Sequence, residues 1–398
     1  MTNDMTRTYD LVVFGASGFT GRLVAEHIAR SADKPRWAIA GRNREKLEAL
    51  GFGVPVLVAD AHDRPALDAI ARATKVVCTT AGPYAKYGSD LLAACADAGT
   101  HYCDLTGEVQ WLRRMIDAHH ERARETGARI VNSCGYDSIP SDLGTWALQQ
   151  EFTARYGHPA SSVLALYGET SGGLSGGTVA SGLQTATEAG EDRAVRKILA
   201  NPYALDPDPT AARPAVRDES SIGWEPRLKM FTAPFVMAPF NTRIVRRGHA
   251  LAGFPWGPDF RYREVMSTPG SARGLAMAVG FTGGLGAIAF ALKRPKLRAV
   301  LAKRAPQPGE GPSAKTRERG HWKVRFVAED GIHQLIYVAA DRADPGYGST
   351  AKMLGESTLC LALDPLTSEG GCITPSVAMG APLLARLQRA GLTFGPAS

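Results

Sequence analysis

Three glycines near the start of the chain have the spacing of a phosphate-binding turn. Gly15, Gly18 and Gly21 lie between a predicted strand at 11–14 and a predicted helix at 19–30. Glycines there permit a tight turn, close approach of the backbone to a pyrophosphate and close packing of the helix, whose N-terminus offers unpaired N–H groups. We therefore predict dinucleotide binding by Gly15, Ala16, Ser17, Gly18, Phe19, Thr20 and Gly21.

The end of the second predicted strand, at 37–40, indicates which dinucleotide binds. An NAD site usually carries an acid about 20 residues after the glycines, but here Arg42 and Arg44 follow the strand. A guanidinium can bind a 2′-phosphate through bidentate charge-assisted bonds. We predict NADP as the cofactor and Arg42 as its main determinant, with capping of a turn as the alternative role. Asp60, after the third strand, is predicted either to bind the adenine side or to cap the next helix.

Polar residues follow the later strands, at the sheet edge where ligands of such folds bind. The segment after the fourth strand is predicted to hold the nicotinamide through Thr80, Ala81, Gly82 and Pro83. The candidates for stabilising a substrate anion or delivering a proton are Tyr84, Lys86, Tyr102 and Tyr136. Structural roles are the alternative at this edge: Asp137 or Ser138 could cap a helix near Pro140, and Asp104 could fix a loop. None of the eleven tyrosines is followed by a lysine four positions later, which argues against a short-chain reductase.

The elements that must position these residues alternate between short apolar runs and helical patterns. This alternation predicts an α/β fold, with an N-terminal Rossmann domain at 1–145 that contains a doubly wound parallel sheet. The alternation of strand and helix patterns ends after Pro140, and we predict a second α+β domain at 146–349. Residues 350–398 are predicted to form C-terminal helices, and whether they pack back on the first domain stays open.

Seven segments together carry a resemblance to a known family. They are 15–21 (GASGFTG), 40–42 (AGR), 81–84 (AGPY), 102–108 (YCDLTGE) and 135–142 (GYDSIPSD), with 346–356 (GYGSTAKMLGE) and 369–375 (EGGCITP) adding to the likeness near the C-terminus. The chain resembles the saccharopine dehydrogenase-like superfamily, in particular its bacterial trans-acting enoyl reductase group. The resemblance implies an NADPH-binding Rossmann domain, a C-terminal α/β domain, and reduction of an enoyl thioester or a related lipid precursor made by a polyketide synthase.

Two other functions stay open. A saccharopine-type amino-acid dehydrogenase would need arginines for the carboxylates of its substrate, and Arg243, Arg246 and Arg247 are the candidates. A sensor or lipid-surface protein that binds NADP(H) without catalysis is the other alternative. The expected partner is an acyl substrate, either a small molecule or one bound to a carrier. Whether the chain forms a homodimer stays open.

Composition and charge limit the remaining classes. Lys and Arg total 46 against 39 Asp and Glu, a net charge of +7, without a nucleic-acid-binding motif. The six cysteines have no C-x-x-C or metal-ligand spacing, so we predict no metal and a reducing cytoplasm. The segment 274–292 holds no charged residue and precedes a basic run. We expect it to be a buried or interface helix, with peripheral membrane contact or a membrane span as alternatives.

Overall fold

Seven parallel strands form the sheet that carries the glycine turn. A computed structural model describes residues 7–171, 176–304 and 319–397 of the chain. Numbered along the chain, the strands of this sheet are β1 (Tyr9–Phe14), β2 (Trp37–Gly41), β3 (Val56–Val58), β4 (Thr74–Thr79), β5 (His101–Cys103), β6 (Arg129–Val131) and β13 (Gly371–Ile373). Their order is β13-β6-β5-β4-β1-β2-β3. This is the Rossmann order with one added strand, so the predicted doubly wound parallel sheet is confirmed.

Helices connect these strands and cover both faces of the sheet. They are α1 (Phe19–Ala29), α2 (Arg44–Glu48), α3 (Arg64–Ala73), α4 (Tyr84–Tyr87), α5 (Ser89–Ala98), α6 (Val109–Thr126) and α7 (Ile139–Tyr156). The central strands are buried on both faces, as their near-continuous apolar sequences require. Strands β2 and β3 are added on one side of β1, and β4, β5 and β6 on the other, which places a crevice beyond the carboxyl ends of β1 and β4.

A second, mixed sheet forms the core of the second domain, as predicted. Its strands are β7 (Ser162–Ser171), β8 (Gly223–Glu225), β9 (Met230–Pro234), β10 (Arg261–Pro269), β11 (His321–Glu329), β12 (Gln334–Asp341) and β14 (Thr393–Pro396). The order is β14-β12-β11-β7-β10-β9-β8, in which only β7 and β10 pair in parallel. The helices between these strands are α8 (Gly176–Glu191), α9 (Arg193–Ala200), α10 (Ala238–Leu251), α11 (Ala272–Leu292) and α12 (Pro295–Arg304).

Helix α7 joins the two sheets. It begins directly after the last consecutive strand of the first sheet and packs against β11, β12 and β14 of the second. Gly144 lies so close to Phe326 that an added Cβ would be 2.9 Å from the ring. The predicted boundary at 145 therefore falls inside a helix that belongs to both cores.

The C-terminal segment contributes to both sheets. It contains a π-helical turn (Pro345–Ser349), α13 (Thr350–Leu363) and α14 (Pro375–Arg389). Helix α13 packs on α1, where Nε2 of His27 lies 2.8 Å from Oε1 of Glu356. The expectation of helices alone for 350–398 is incomplete, because β13 adds to the first sheet and β14 to the second.

Helix α11 differs from its expected environment. Only Gly274 and Ala278 are buried in it, although its sequence is long and apolar enough to cross a membrane. The expectation that 274–292 is buried within the protein is therefore wrong for this chain, whereas an interface helix stays a prediction. Apolar composition alone cannot distinguish a core helix from one that is covered by lipid or by another molecule.

Candidate active site

The glycine turn has the geometry of a phosphate cradle. Gly15 has a φ of +84°, a conformation that favours glycine. An added Cβ on Gly15 would lie 3.2 Å from Oγ1 of Thr80. One on Gly21 would overlap the carbonyl oxygen of Gly15 and lie 2.7 Å from the same Thr80 hydroxyl. Side chains are thus excluded at the two ends of the turn, which leaves the backbone accessible to a ligand.

The first turn of α1 is open to an anion. The helix begins at Phe19, and no side chain in the described part of the chain caps it at Gly18. Its first turn contains no acid. Ser17 and Gly18 are exposed, whereas Ala16 is buried in the core and Thr20 is half-buried. Unpaired N–H groups at the positive end of the helix dipole suit a pyrophosphate.

Arg42 lies directly after β2, at the position where Rossmann domains contact the adenosine ribose. It follows β2, is exposed, and makes no hydrogen bond or ion pair with any residue that the structure describes. Asn43, not Arg42, caps α2, because its Oδ1 accepts a hydrogen bond of 2.9 Å from the amide of Lys46. Arg44 pairs with Glu48 at 3.2 Å. Arg42 therefore remains a predicted phosphate ligand whose guanidinium is not engaged elsewhere.

Asp60 is exposed after β3 and closes a turn. Its Oδ1 accepts a hydrogen bond of 3.0 Å from the amide of His62. Helix α3 is capped instead by Asp63, whose Oδ1 accepts from the amide of Ala66. The alternative in which Asp60 caps the next helix is wrong, and its contact with the adenine side stays a prediction.

The segment after β4 is fixed by a buried carboxylate. Glu108 accepts hydrogen bonds from the amides of Tyr84 at 2.8 Å and Ala85 at 2.9 Å. The hydroxyl of Thr80 donates to the carbonyl of Gly15 at 3.4 Å, which joins this segment to the glycine turn. The backbone next to the crevice is thereby held at Thr80, Ala81, Gly82 and Pro83, of which Gly82 is exposed.

Tyr84 and Lys86 differ in accessibility. The Tyr84 side chain is buried, and its hydroxyl donates to the carbonyl of Thr79 at 3.2 Å. Burial and the nearby Asp104 carboxylate raise the pKa of Tyr84 well above its usual value. Lys86 is exposed and has no ion-pair partner among the described residues. The placement of Tyr84 argues for a structural role, whereas Lys86 can reach a ligand.

Tyr102 belongs to a buried network around Asp104. Its hydroxyl donates to Oδ2 of Asp104 at 3.0 Å, and that carboxylate also accepts from Asn132 and from the amides of Thr106 and Ser133. Burial raises the pKa of Asp104 to about 6 despite these hydrogen bonds. The network connects the ends of β5 and β6, so Tyr102 shapes the crevice from within and does not reach it.

The loop after β6 presents two polar groups that are not engaged elsewhere. Asp104 holds Ser133 at a φ of +68°, which is uncommon for a residue other than glycine and directs the loop that follows. Tyr136 and Asp137 are half-buried there, and neither side chain forms a hydrogen bond within the described ranges. Burial raises the pKa of Asp137 to about 6. A carboxyl that is partly protonated near neutral pH can act as a general acid.

The second domain faces this loop with aromatic rings. Tyr136 packs edge-on against Trp322 of β11, with ring centroids 4.9 Å apart. The indole of Trp322 donates to Oγ of Ser349 at 2.7 Å, which fixes the start of α13. Tyr347 of the π-helical turn contacts Phe19 of the glycine turn at 4.7 Å. Aromatic residues of the second domain and of the π-helical turn therefore pack against both the Tyr136 loop and the start of α1.

Two further buried acids lie near this loop, and sequence reasoning did not identify either as titratable near neutral pH. Asp142, in the first turn of α7, accepts from the amide and hydroxyl of Ser376, and burial raises its pKa to about 7. Glu264 accepts from Tyr262 and Asn241, and burial raises its pKa to about 7 as well. Both acids have protein partners, so Asp137 is the better candidate for proton transfer to a ligand.

A group that could hold a metal ion lies far from the crevice. Ligand atoms of His158, Asp330 and His333 all fall within 4.8 Å of one another. The group follows the C-terminal end of α7, which is about 27 Å long and begins beside the Tyr136 loop. Asp330 already accepts hydrogen bonds from the amides of Ile332 and His333. An ion at this distance would not contact the nucleotide turn.

Comparison with known proteins agrees with this geometry. Residues 11–131 match the family model of the saccharopine dehydrogenase NADP binding domain, which confirms the predicted cofactor. A trans-acting enoyl reductase of Mycobacterium tuberculosis is 40% identical over 98% of this chain and 98% of its own length. That of Mycobacterium ulcerans is 39% identical over 97% of each chain. A further Mycobacterium tuberculosis protein, which has that name provisionally, is 41% identical over 98% of this chain.

A solved structure has the same fold. Apo saccharopine dehydrogenase (L-Glu forming) from Saccharomyces cerevisiae gives a TM-score of 0.52 at 13% identity, covering 97% of this chain and 99% of that one. At this identity the likeness shows the fold alone. Since the match extends over both domains, it confirms the predicted combination of a Rossmann domain with a second mixed-sheet domain.

Proposed function

Because the chain belongs to the trans-acting enoyl reductase family of saccharopine dehydrogenase-like proteins, we propose that it reduces the carbon–carbon double bond of an enoyl thioester with NADPH. The observation that carries the proposal is that the similarity extends over 98% of the chain and thus includes the second domain. An NADP-binding domain alone would leave the substrate open, because many oxidoreductases share one.

The residues described above fit the cofactor. The turn from Gly15 to Gly21 is closed to side chains and open to a pyrophosphate, and Arg42 is available for a 2′-phosphate. Bound NADPH would supply a hydride for the β-carbon of the substrate. The backbone from Thr80 to Pro83, held by Glu108, would border the nicotinamide.

Asp137 and Tyr136 are assigned the proton chemistry. Transfer of a hydride to the β-carbon leaves an electron pair at the α-carbon, and one proton completes the saturated product. Asp137 is partly protonated near neutral pH, because burial raises the pKa of its carboxyl to about 6 and no residue in the described part of the protein donates a hydrogen bond to it. The Tyr136 hydroxyl would donate a hydrogen bond to the thioester oxygen as negative charge develops there. Lys86, at the rim, would contact an anionic part of the substrate.

The amino-acid dehydrogenase alternative is not favoured by the arginines on which it depends. Arg246 donates to the carbonyls of Pro202 and Tyr262, and Arg247 to those of Leu205 and Cys372. Arg243 donates to three further carbonyls and pairs with Asp218 at 3.1 Å. All three guanidiniums are buried and hold the segment around residues 199–206. They do not form an open pocket for substrate carboxylates.

The test measures NADPH consumption by the purified protein with a series of enoyl thioesters of coenzyme A and of acyl carrier protein. We expect turnover with at least one thioester and none with the saturated analogues. Asp137→Asn should lower kcat by about a hundredfold or more, as expected for loss of a general acid. Exposed Asp259, changed to Asn, is the matched control and should leave kcat unchanged.

Two outcomes would contradict the proposal. If the protein binds NADPH tightly but consumes none with any enoyl thioester, the non-catalytic sensor becomes the better explanation. If consumption instead requires an amino acid and a keto acid, the reaction is that of an amino-acid dehydrogenase. A Tyr136→Phe variant with unchanged kcat would remove Tyr136 from the mechanism, and Tyr156→Phe, at the far end of α7, is its matched control.

A further inference from the structure

Helix α11 is apolar on all sides and exposed. Each residue of a helix is rotated by about 100° from the one before it. This rotation places Leu275, Val279 and Phe290 on one side of α11, and Met277, Phe281 and Ile288 on the opposite side. Each of these six side chains is at least 41% exposed. The most apolar part of the helix has a mean hydropathy of 1.9, and only 6% of it is buried. Helices of this kind are found in protein cores or in membranes, so α11 requires a covering layer.

Both ends of α11 are attached to the body of the protein. The first two turns pack on β9 and β10, where Gly274 and Ala278 are buried. At the other end α12 turns back, and Nη1 of Arg298 donates to the carbonyl of Ala186 in α8 at 3.1 Å. Between these attachments, no residue from 279 to 292 is buried. Because the two ends are held by one body, a span that separated them across a bilayer does not fit.

The charged residues that flank α11 along the chain are all positive and lie beyond its apolar centre. Residues 265–309 contain no Asp or Glu. Arg273 lies in the first turn, and the remaining cations follow the helix: Lys293, Arg294, Lys296, Arg298, Lys303 and Arg304. Lys293, Arg294 and Lys296 are exposed, and none has an acidic partner among the described residues. This distribution complements a surface that is apolar inside and anionic at its boundary.

We propose that α11 is embedded in one leaflet of an anionic phospholipid bilayer, parallel to the membrane plane. A helix of 21 residues is about 31 Å long and about 10 Å wide. One leaflet contributes roughly half of a hydrocarbon core about 30 Å thick, which is deep enough to cover such a helix. The cations at its ends then lie at the level of the lipid headgroups. This docking is independent of the proposed reaction.

The same contacts bring the bilayer close to the crevice. Helix α12 contacts α8, and the hydroxyl of Ser181 in α8 donates to Glu108 at 2.7 Å. Glu108 in turn holds the backbone of Tyr84 and Ala85. If the proposed function is correct, a substrate with a long acyl chain would enter the crevice from the lipid side.

Flotation with vesicles tests the docking directly. The full-length protein should float with vesicles of phosphatidylcholine and phosphatidylglycerol, and bind vesicles of phosphatidylcholine alone more weakly. Replacing Phe281, Ile288 and Phe290 together by Gln should lower the partition coefficient at least about a hundredfold, because three exposed apolar side chains are lost. The matched control replaces three exposed apolar residues elsewhere, Ile222, Val236 and Ile332. This control variant should bind the vesicles as the unmodified protein does.

Charge and oligomeric state supply the second arm of the test. Neutralising Lys293, Arg294 and Lys296 to Gln should weaken binding to anionic vesicles about fivefold for each residue and leave binding to neutral vesicles unchanged. The proposal is overturned if the unmodified protein does not float with anionic vesicles. It is also overturned if light scattering shows a lipid-free dimer that the Phe281, Ile288 and Phe290 variant converts to a monomer, since a second copy would then cover α11. Neither result depends on enzymatic activity.

Discussion

Replacing Arg42 by Gln separates recognition of the 2′-phosphate from binding of the rest of the cofactor. Arg42 is exposed at the end of β2 and has no partner among the residues that the structure describes, so its loss should not alter the fold. A charge-assisted hydrogen bond contributes roughly 1.5–3 kcal/mol when both groups are charged, which corresponds to about a ten- to hundredfold change in affinity. We expect the Kd for NADPH to rise by that factor and the Kd for NADH to stay constant.

The assay is titration calorimetry or fluorescence with both dinucleotides at two salt concentrations. Arg44→Gln is the matched control, because Arg44 already pairs with Glu48 on the surface and should contribute little. The difference between the Kd values for NADPH and NADH should also become smaller at high salt, since the contact between Arg42 and the 2′-phosphate is exposed. If Arg42→Gln weakens the binding of NADH as much as the binding of NADPH, or changes neither, the assignment of Arg42 to the 2′-phosphate is refuted.

Three further predictions concern the glycine turn and two buried carboxyls. Gly21→Ala should abolish NADPH binding and lower the melting temperature, because the added Cβ would overlap the carbonyl of Gly15. Gly182→Ala is the control, because the space beside Gly182 is open. Unchanged NADPH binding by the Gly21→Ala variant would refute the role of the turn as a phosphate cradle. Asp137 acts in its protonated form, so kcat should fall as pH rises through about 6. The Asp137→Asn variant should lose this pH dependence. If the substitution leaves the pH profile of kcat unchanged, the titration belongs to another group. Asp142 has a pKa raised by burial to about 7, so the folded state binds more protons than the unfolded state between about pH 4 and 7, and stability falls as pH rises through that window. Asp142→Asn should remove up to about 4 kcal/mol of this decline, measured by urea unfolding across the pH range, and an unchanged slope would contradict the raised pKa.

Much of the first domain could be predicted from periodicity. The strands that precede the glycine turn and Arg42 are buried apolar runs, and each is followed by a recognisable helical pattern. Strand β13 could not be found this way, because Gly371–Ile373 has only three residues and no alternating pattern. It becomes a strand by pairing with β6, a contact between segments more than 200 residues apart. Strand β14 has only four residues and likewise becomes a strand by pairing, in this case with β12.

The sequence indicates the residues of a cofactor site more directly than it indicates catalytic residues. Backbone turns depend on glycine, which the sequence shows, whereas catalysis depends on where a side chain points. Tyr84 follows a strand just as Tyr136 does, and Tyr102 lies within β5, yet the hydroxyls of Tyr84 and Tyr102 donate to buried groups of Thr79 and Asp104. Asp137 was considered only as a helix cap, and its lack of a hydrogen-bond partner becomes visible only when the surrounding side chains are placed.

Long-range contacts also explain the two features furthest from expectation. His158, Asp330 and His333 have no metal-ligand spacing along the chain, and they meet because the β11–β12 hairpin lies beside the end of α7. The apolar segment of α11 has a composition that fits a core, an interface or a bilayer equally well, and its exposure excludes the core of this chain.

Transfer of a deuterium label tests the enoyl reductase assignment most directly. The purified protein is incubated with an enoyl thioester and NADPH that carries deuterium at the transferable position, and the product is examined by mass spectrometry. The account predicts a saturated thioester with one deuterium at the β-carbon and a solvent-derived hydrogen at the α-carbon. Recovery of the unsaturated thioester without label, while the protein demonstrably binds NADPH, would contradict it.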